Sequence, residues 1–249
     1  MAAIFCLRLA FGLMAVLLLL SPAQVNPRFY RVQFLTALGL TAAAAVLLRH
    51  AAGTALWIGL GTSAVLLAVA SAAWSLEGAP GGRLLIGLTG LASGAALGLA
   101  SWAGANDGFT GRMLIDDVTS ATLLGAAMSA MLMGHSYLIA PAMSLTPLLR
   151  LLAALAVATL LRMTVAGVGL WSWTAEHSLT NLSDVTVLWL PLRWGLGLFG
   201  PLVLAWMAWR AARIRSTQSA TGIMYVAVIF CFLGELTGQL LLSNTGLLL

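Results

Sequence analysis

Apolar runs of about twenty residues, the length that crosses a bilayer as a helix, alternate along the whole chain with short stretches rich in Pro, Gly, Asn, Asp, Ser and Arg. A hydrocarbon core of about 30 Å sets that length, and the ruler predicts eight spans. They fall at 4–21, 32–48, 54–75, 84–104, 118–140, 146–171, 186–209 and 221–243. The pieces between them, such as SPAQVNPRFYR, LEGAPGGR and RAARIRSTQSAT, carry turn and cap chemistry. The expected fold is an all-α polytopic integral membrane protein, a bundle of about eight transmembrane helices with short loops. Residues 1–249 read as a single transmembrane domain, with 1–111 as scaffold and 112–249 carrying most of the buried polar residues. An alternative for residues 1–24 is a cleaved signal peptide, because Arg8 is followed by LAFGLMAVLLLL and then SPAQ.

Composition sharpens the class. Hydrophobic residues make up 61% of the chain and charged residues 8%, with a mean hydropathy of +1.02. Soluble domains carry about a quarter charged residues, so a soluble core is excluded. All 12 basic residues are arginines, scattered rather than striped, which argues against nucleic acid as a partner and makes the +5 charge a matter of membrane orientation. Arg28, Arg31, Arg83, Arg150, Arg210, Arg213 and Arg215 fall on one side of the eight-span plan; Arg49 and Arg112 fall on the other, with Asp107, Asp116, Asp117, Glu176 and Asp184. Short basic loops stay inside, so both termini are expected outside a bacterial-type cytoplasmic membrane. Trp57, Trp102, Trp171, Trp173, Trp189 and Trp194 fall near that outer edge. Gly87, Gly90, Gly94 and Gly98 form a small-residue stripe on the fourth span, read as a seam within the bundle. Cys6 and Cys231 sit in apolar segments and read as small hydrophobes rather than a disulfide or metal pair.

One acid stands out. Glu235 lies inside MYVAVIFCFLGELTGQLLL, where an ionised carboxylate costs several kcal/mol unless paired or protonated. At about 1.5 Å of rise per residue, Arg193 in the preceding span reaches a similar depth, so the two are expected to pair. Gln239, one turn beyond Glu235, shares its face. Arg162 and Arg8 lie closer to the outer surface, and Asp116 and Asp117 at the outer mouth of the fifth span. A second grouping, His135, Tyr137, Arg150, Gln218 and Tyr225, sits near the inner face, where donors beside an apolar slot suit quinone carbonyls. Both groupings also have bland readings, as a register-fixing ion pair and as ordinary interfacial residues.

Membrane haem is usually held by two histidines on facing helices. Only His50 and His177 share a predicted side, one at a helix end and one in a loop, so haem is disfavoured. No nucleotide-binding glycine loop, paired CxxC, HExxH or supported Ser–His–acid pattern is present. Asn181–Leu182–Ser183 matches a glycosylation triplet, and Met128, Met131 and Met133 read as packing. The function expected from these features is a membrane subunit of a respiratory or other electron-transfer complex. It would interact with quinone through the polar site of the second half, beside protein partners and lipid. The alternatives are a small proton- or anion-coupled transporter and a structural anchor or assembly subunit; an autonomous enzyme is the less favoured reading.

Overall fold

The computed structural model describes residues 1–50, 53–76, 81–104, 110–139, 143–176 and 184–246, apart from the side chains of 176 and 184–187. Every element among the described residues is helical: α1 (Ala2–Leu17), α2 (Pro27–Leu47), α3 (Thr54–Ala73), α4 (Gly82–Gly104), α5 (Gly111–Ile139), α6 (Thr146–Glu176), α7 (Asp184–Trp194), a π-helical turn (Gly195–Phe199), α8 (Gly200–Arg213) and α9 (Thr217–Thr245). Seven of the resulting segments are long and apolar enough to cross a membrane, with α7, the π-turn and α8 forming one of them. The protein is thus an integral membrane helical bundle in contact with lipid.

The eighth expected span is the short one. Helix α1 has 16 residues, about 24 Å at 1.5 Å per residue, and falls short of a 30 Å core. It is instead the axis of one half of the bundle, packed against α2, α4 and α5. Leu7, Arg8, Leu13, Met14 and Leu17 are all buried there. The folded bundle therefore uses the segment also read as a signal peptide as a central helix. On the other side, α5 packs on α6 and α9, and α9 on α8 and the π-turn, so α1, α5 and α9 run through the middle.

Small residues set these crossings, because lipid supplies no hydrophobic drive for helices to associate. Gly12 of α1 lies on Gly125 and Ala121 of α5 so closely that a Cβ on either glycine would overlap the opposing backbone. Gly197 in the π-turn meets Gly234 of α9 in the same way: a Cβ on Gly197 would sit 2.6 Å from the Gly234 Cα. The glycine stripe of α4 is a seam within the bundle at its centre, where Gly94 faces Phe11 and Gly90 faces Met14 of α1. At its ends, Gly87 and Gly98 meet nothing.

Local signals punctuate the helices. Asn26 caps α2, its Oδ1 accepting from the Arg28 amide at 2.9 Å, and Pro27 starts the helix. Gly246 closes α9 in the left-handed conformation at φ 69°. Pro191 lies inside α7 and cannot donate to the helical ladder, and the π-turn follows one turn later among Gly195, Gly197 and Gly200. Chain connectivity alternates the helix directions. Gln24, just past α1, accepts from Arg150 at the start of α6, while Met1 lies against Ser243 near the end of α9. One end of the bundle thus gathers the start of α1 and the end of α9, and the other gathers Arg28, Arg31, Arg83, Arg150, Arg210, Arg213 and Arg215.

Candidate functional site

Six buried charges from five helices meet in the half of the bundle nearer the chain termini: Arg8, Arg162 and Arg193 against Asp116, Asp117 and Glu235. Glu235 is the hub. Its Oε1 accepts from Arg193 Nη1 at 2.9 Å and Arg162 Nε at 3.0 Å; its Oε2 accepts from Arg162 Nη2 at 3.1 Å and the Ser120 hydroxyl at 2.5 Å. Asp116 bridges two arginines, taking Arg162 Nη1 on Oδ1 and Arg8 Nη2 on Oδ2, each at 2.5 Å. Asp117 accepts from Arg8 Nε at 2.8 Å and from the Ser101 hydroxyl at 2.6 Å. Three guanidiniums face three carboxylates, so with every group ionised the network is neutral. Neutrality and near-complete hydrogen bonding are what let six charges stay out of water.

Backbone contacts align these side chains. Gly12 and Gly125 lock α1 to α5 one to two turns from Arg8 and from Asp117 and Ser120. Gly197 and Gly234 lock the seventh segment to α9, and Gly234 directly precedes Glu235 while Gly197 lies one turn beyond Arg193. The Arg193–Glu235 contact is present, as depth arithmetic expects. Four neighbours differ from the sequence expectation. Asp116 and Asp117 are not at an open mouth: α5 begins at Gly111, so both lie more than a turn inside the helix, 4% and 2% exposed. A hydropathy ruler ends a span at charged residues, but carboxylates neutralised by Arg8 and Arg162 sit comfortably within one. Arg162 and Arg8 belong to the same network rather than to a shallower layer. With Ser101, Arg8 also brings the first half of the chain into the site, while the other five charges of the network lie in 112–249. Glycines at 12, 125, 197 and 234 are the signal in the sequence that marks these close crossings.

Gln239 is 7% exposed, and among the described residues neither atom of its amide has a hydrogen-bond partner. Of the five residues of the inner-face grouping, four are at the surface and one is buried. His135, Arg150, Gln218 and Tyr225 are exposed. Tyr137 is buried and donates to the Ser144 carbonyl, and Arg150 donates to Gln24 Oε1 at 3.4 Å. Among the described residues no hydrogen bond joins any two of these five. His50 is exposed and accepts from its neighbour Arg49 at 2.9 Å. His177, Asp107 and the Asn181–Leu182–Ser183 triplet lie outside the described residues, as do the side chains of Glu176 and Asp184. Among the described residues no three His, Cys, Asp or Glu side chains gather as a metal site.

Two cavities reach the network from the terminus end. One, about 540 Å³, lies between α5, α6 and the end of α9 and is lined by Arg112, Asp116, Thr164, Ser172, Trp173 and apolar neighbours. The other, about 300 Å³, lies between α1, α4 and α5 and is lined by Arg8, Ser101, Asp116 and Asp117 among others. Asp116 is a wall of both. No protein-family model, curated protein or solved structure matches this chain.

Proposed function

We propose that this protein is a small transporter of the cytoplasmic membrane that couples the movement of an anion to protonation of its buried acidic cluster. The observation that carries this reading is Asp116, which binds Arg8 and Arg162 while lining both cavities. With all six groups ionised the charges cancel. A proton on Asp116 leaves one positive charge in excess beside the larger cavity, and an incoming anion restores the balance; loss of both resets the ion pairs. Intramembrane ionisable residues mark such ion and proton pathways, and their cost in lipid is the reason to look for a task. The π-turn beside Glu235 adds a local widening within a continuous helix, a feature frequent at functional sites. In this reading the arginine-rich end faces the cytoplasm and both termini lie outside, since basic short loops are retained inside.

A second reading, the quinone-interacting subunit of an electron-transfer complex, is favoured by the mixed lining of the larger cavity, where Trp173, Val165 and Val168 flank Asp116, Arg112 and Ser172. A protein partner would exchange the electrons. Reconstitution separates the two. Purified protein in liposomes holding a pH-sensitive dye should take up protons on addition of one of chloride, phosphate or succinate, at least tenfold less with Asp116→Asn or Glu235→Gln. Quinone binding without flux would transfer the assignment to the second reading. Neither activity would leave a structural anchor.

A further inference from the structure

We infer that a cleft between α1, α5 and α6, on the arginine-rich half of the bundle, binds one acyl chain of an anionic phospholipid whose phosphate sits on Arg150. The cleft encloses about 550 Å³ and is walled by Val16 of α1, Leu19 just past its end, Ala126 of α5, and Ala154, Ala158 and Leu161 of α6. Alanines at the crossing leave the space that larger side chains would fill. From Arg150 to Leu161 is eleven residues along α6, about 16 Å, which matches half of a 30 Å hydrocarbon core. The cleft therefore runs the depth of one leaflet, from headgroup level toward the bilayer centre.

Its polar chemistry is confined to one end. Arg150 is exposed, and among the described residues its one hydrogen bond is the long contact with Gln24. That leaves a guanidinium fork at the interface for a phosphate, which it matches bidentately. Thr122 is the other polar residue of the lining, and its hydroxyl donates to the carbonyls of its own helix, Val118 at 3.0 Å and Thr119 at 2.9 Å. A quinone ring deep in the cleft would thus meet no donor for its carbonyls, whereas a lipid needs a cation at the surface and an apolar slot below it. Charge complementarity selects the anionic class. Arg150 shares its end of the bundle with Arg28, Arg31, Arg83, Arg210, Arg213 and Arg215, and cationic membrane-adjacent residues attract anionic lipid.

The test uses the full chain purified in mild detergent, exposed to phosphatidylglycerol, phosphatidylcholine or ubiquinone, with retained adducts counted by native mass spectrometry. Wild type should retain one phosphatidylglycerol at least tenfold more than phosphatidylcholine. Arg150→Gln, a change at an exposed side chain, should remove that preference, and Ala153→Phe, which fills the cleft wall, should lower retention of the lipid whatever its headgroup. Circular dichroism and gel-filtration profiles verify folding; if Ala153→Phe misfolds, the headgroup comparison in wild type and Arg150→Gln decides alone. Equal retention of the two lipids by wild type, an unchanged preference in Arg150→Gln, or ubiquinone displacing the lipid would overturn the assignment.

Discussion

Replacing Glu235 by glutamine keeps the volume and removes one negative charge from a network in which charges cancel. The side chain accepts four hydrogen bonds, from Arg193, Ser120 and twice from Arg162. If those bonds were the whole effect, at about 0.6 kcal/mol each within a membrane, losing all of them would cost about 2.4 kcal/mol, and the amide oxygen would keep part of that. The charge argument gives more. Three guanidiniums would face two carboxylates, and stranding a buried charge costs about 3–5 kcal/mol. The two accounts separate on a second change. Arg193→Met in the Glu235→Gln background restores two against two and fills similar space. It should recover at least about 1.4 kcal/mol, a tenfold change in the unfolding constant, if charge balance dominates. If hydrogen bonds and packing dominate, the double variant should be no more stable than the single. Equilibrium unfolding in mixed dodecyl maltoside and SDS micelles, followed by circular dichroism, measures both. A single variant within about 1 kcal/mol of wild type, below the range for a stranded buried charge, or a double variant that recovers nothing, would refute the reasoning.

Other expectations follow from particular contacts. Gly197→Ala places a Cβ 2.6 Å from the Gly234 Cα, so α9 must shift; overpacking of this kind costs about 1–3 kcal/mol and should abolish flux, whereas Gly98→Ala, which meets nothing, should leave unfolding and flux unchanged. Arg8→Gln should destabilise the bundle by about 3–5 kcal/mol because Asp117 loses its cation, and Arg8→Gln with Asp117→Asn should be the more stable of the two in the same unfolding assay. Tyr225→Phe and Gln218→Ala should leave anion flux within twofold of wild type, since both side chains are exposed and distant in the fold from the charged hub; a larger loss would restore the inner-face grouping as a site. Reporter fusions at Arg213 and after Leu249 should report opposite sides of the membrane, and an external Arg213 would invert the topology and the cytoplasmic end.

The amino-acid sequence determined the class and the outline of this protein. A composition with so few charges has no solution in water, and apolar runs of bilayer length fold as helices because backbone groups in lipid must bond within their own segment. The same economy marked Glu235: a lone acid in an apolar run must have a partner, and arithmetic along helices of fixed rise pointed to Arg193. Only the tertiary structure decided the rest of the site. Arg8, Ser101, Asp116 and Arg162 come from four helices, and their meeting depends on which faces turn toward one another, a rotation that hydropathy does not encode. That rotation is set at Gly12, Gly125, Gly197 and Gly234, where the absence of a side chain brings backbones into contact. A charge at a span's edge reads as a loop until its counter-ion is located, which is why Asp116 and Asp117 read as a mouth; both are instead buried, Asp116 as a wall of two cavities and Asp117 of one. For the same reason a similar depth along their helices does not by itself bring His135, Tyr137, Arg150, Gln218 and Tyr225 together, and among the described residues no hydrogen bond joins any two of them: depth follows from position along a helix, whereas convergence requires the packing of several.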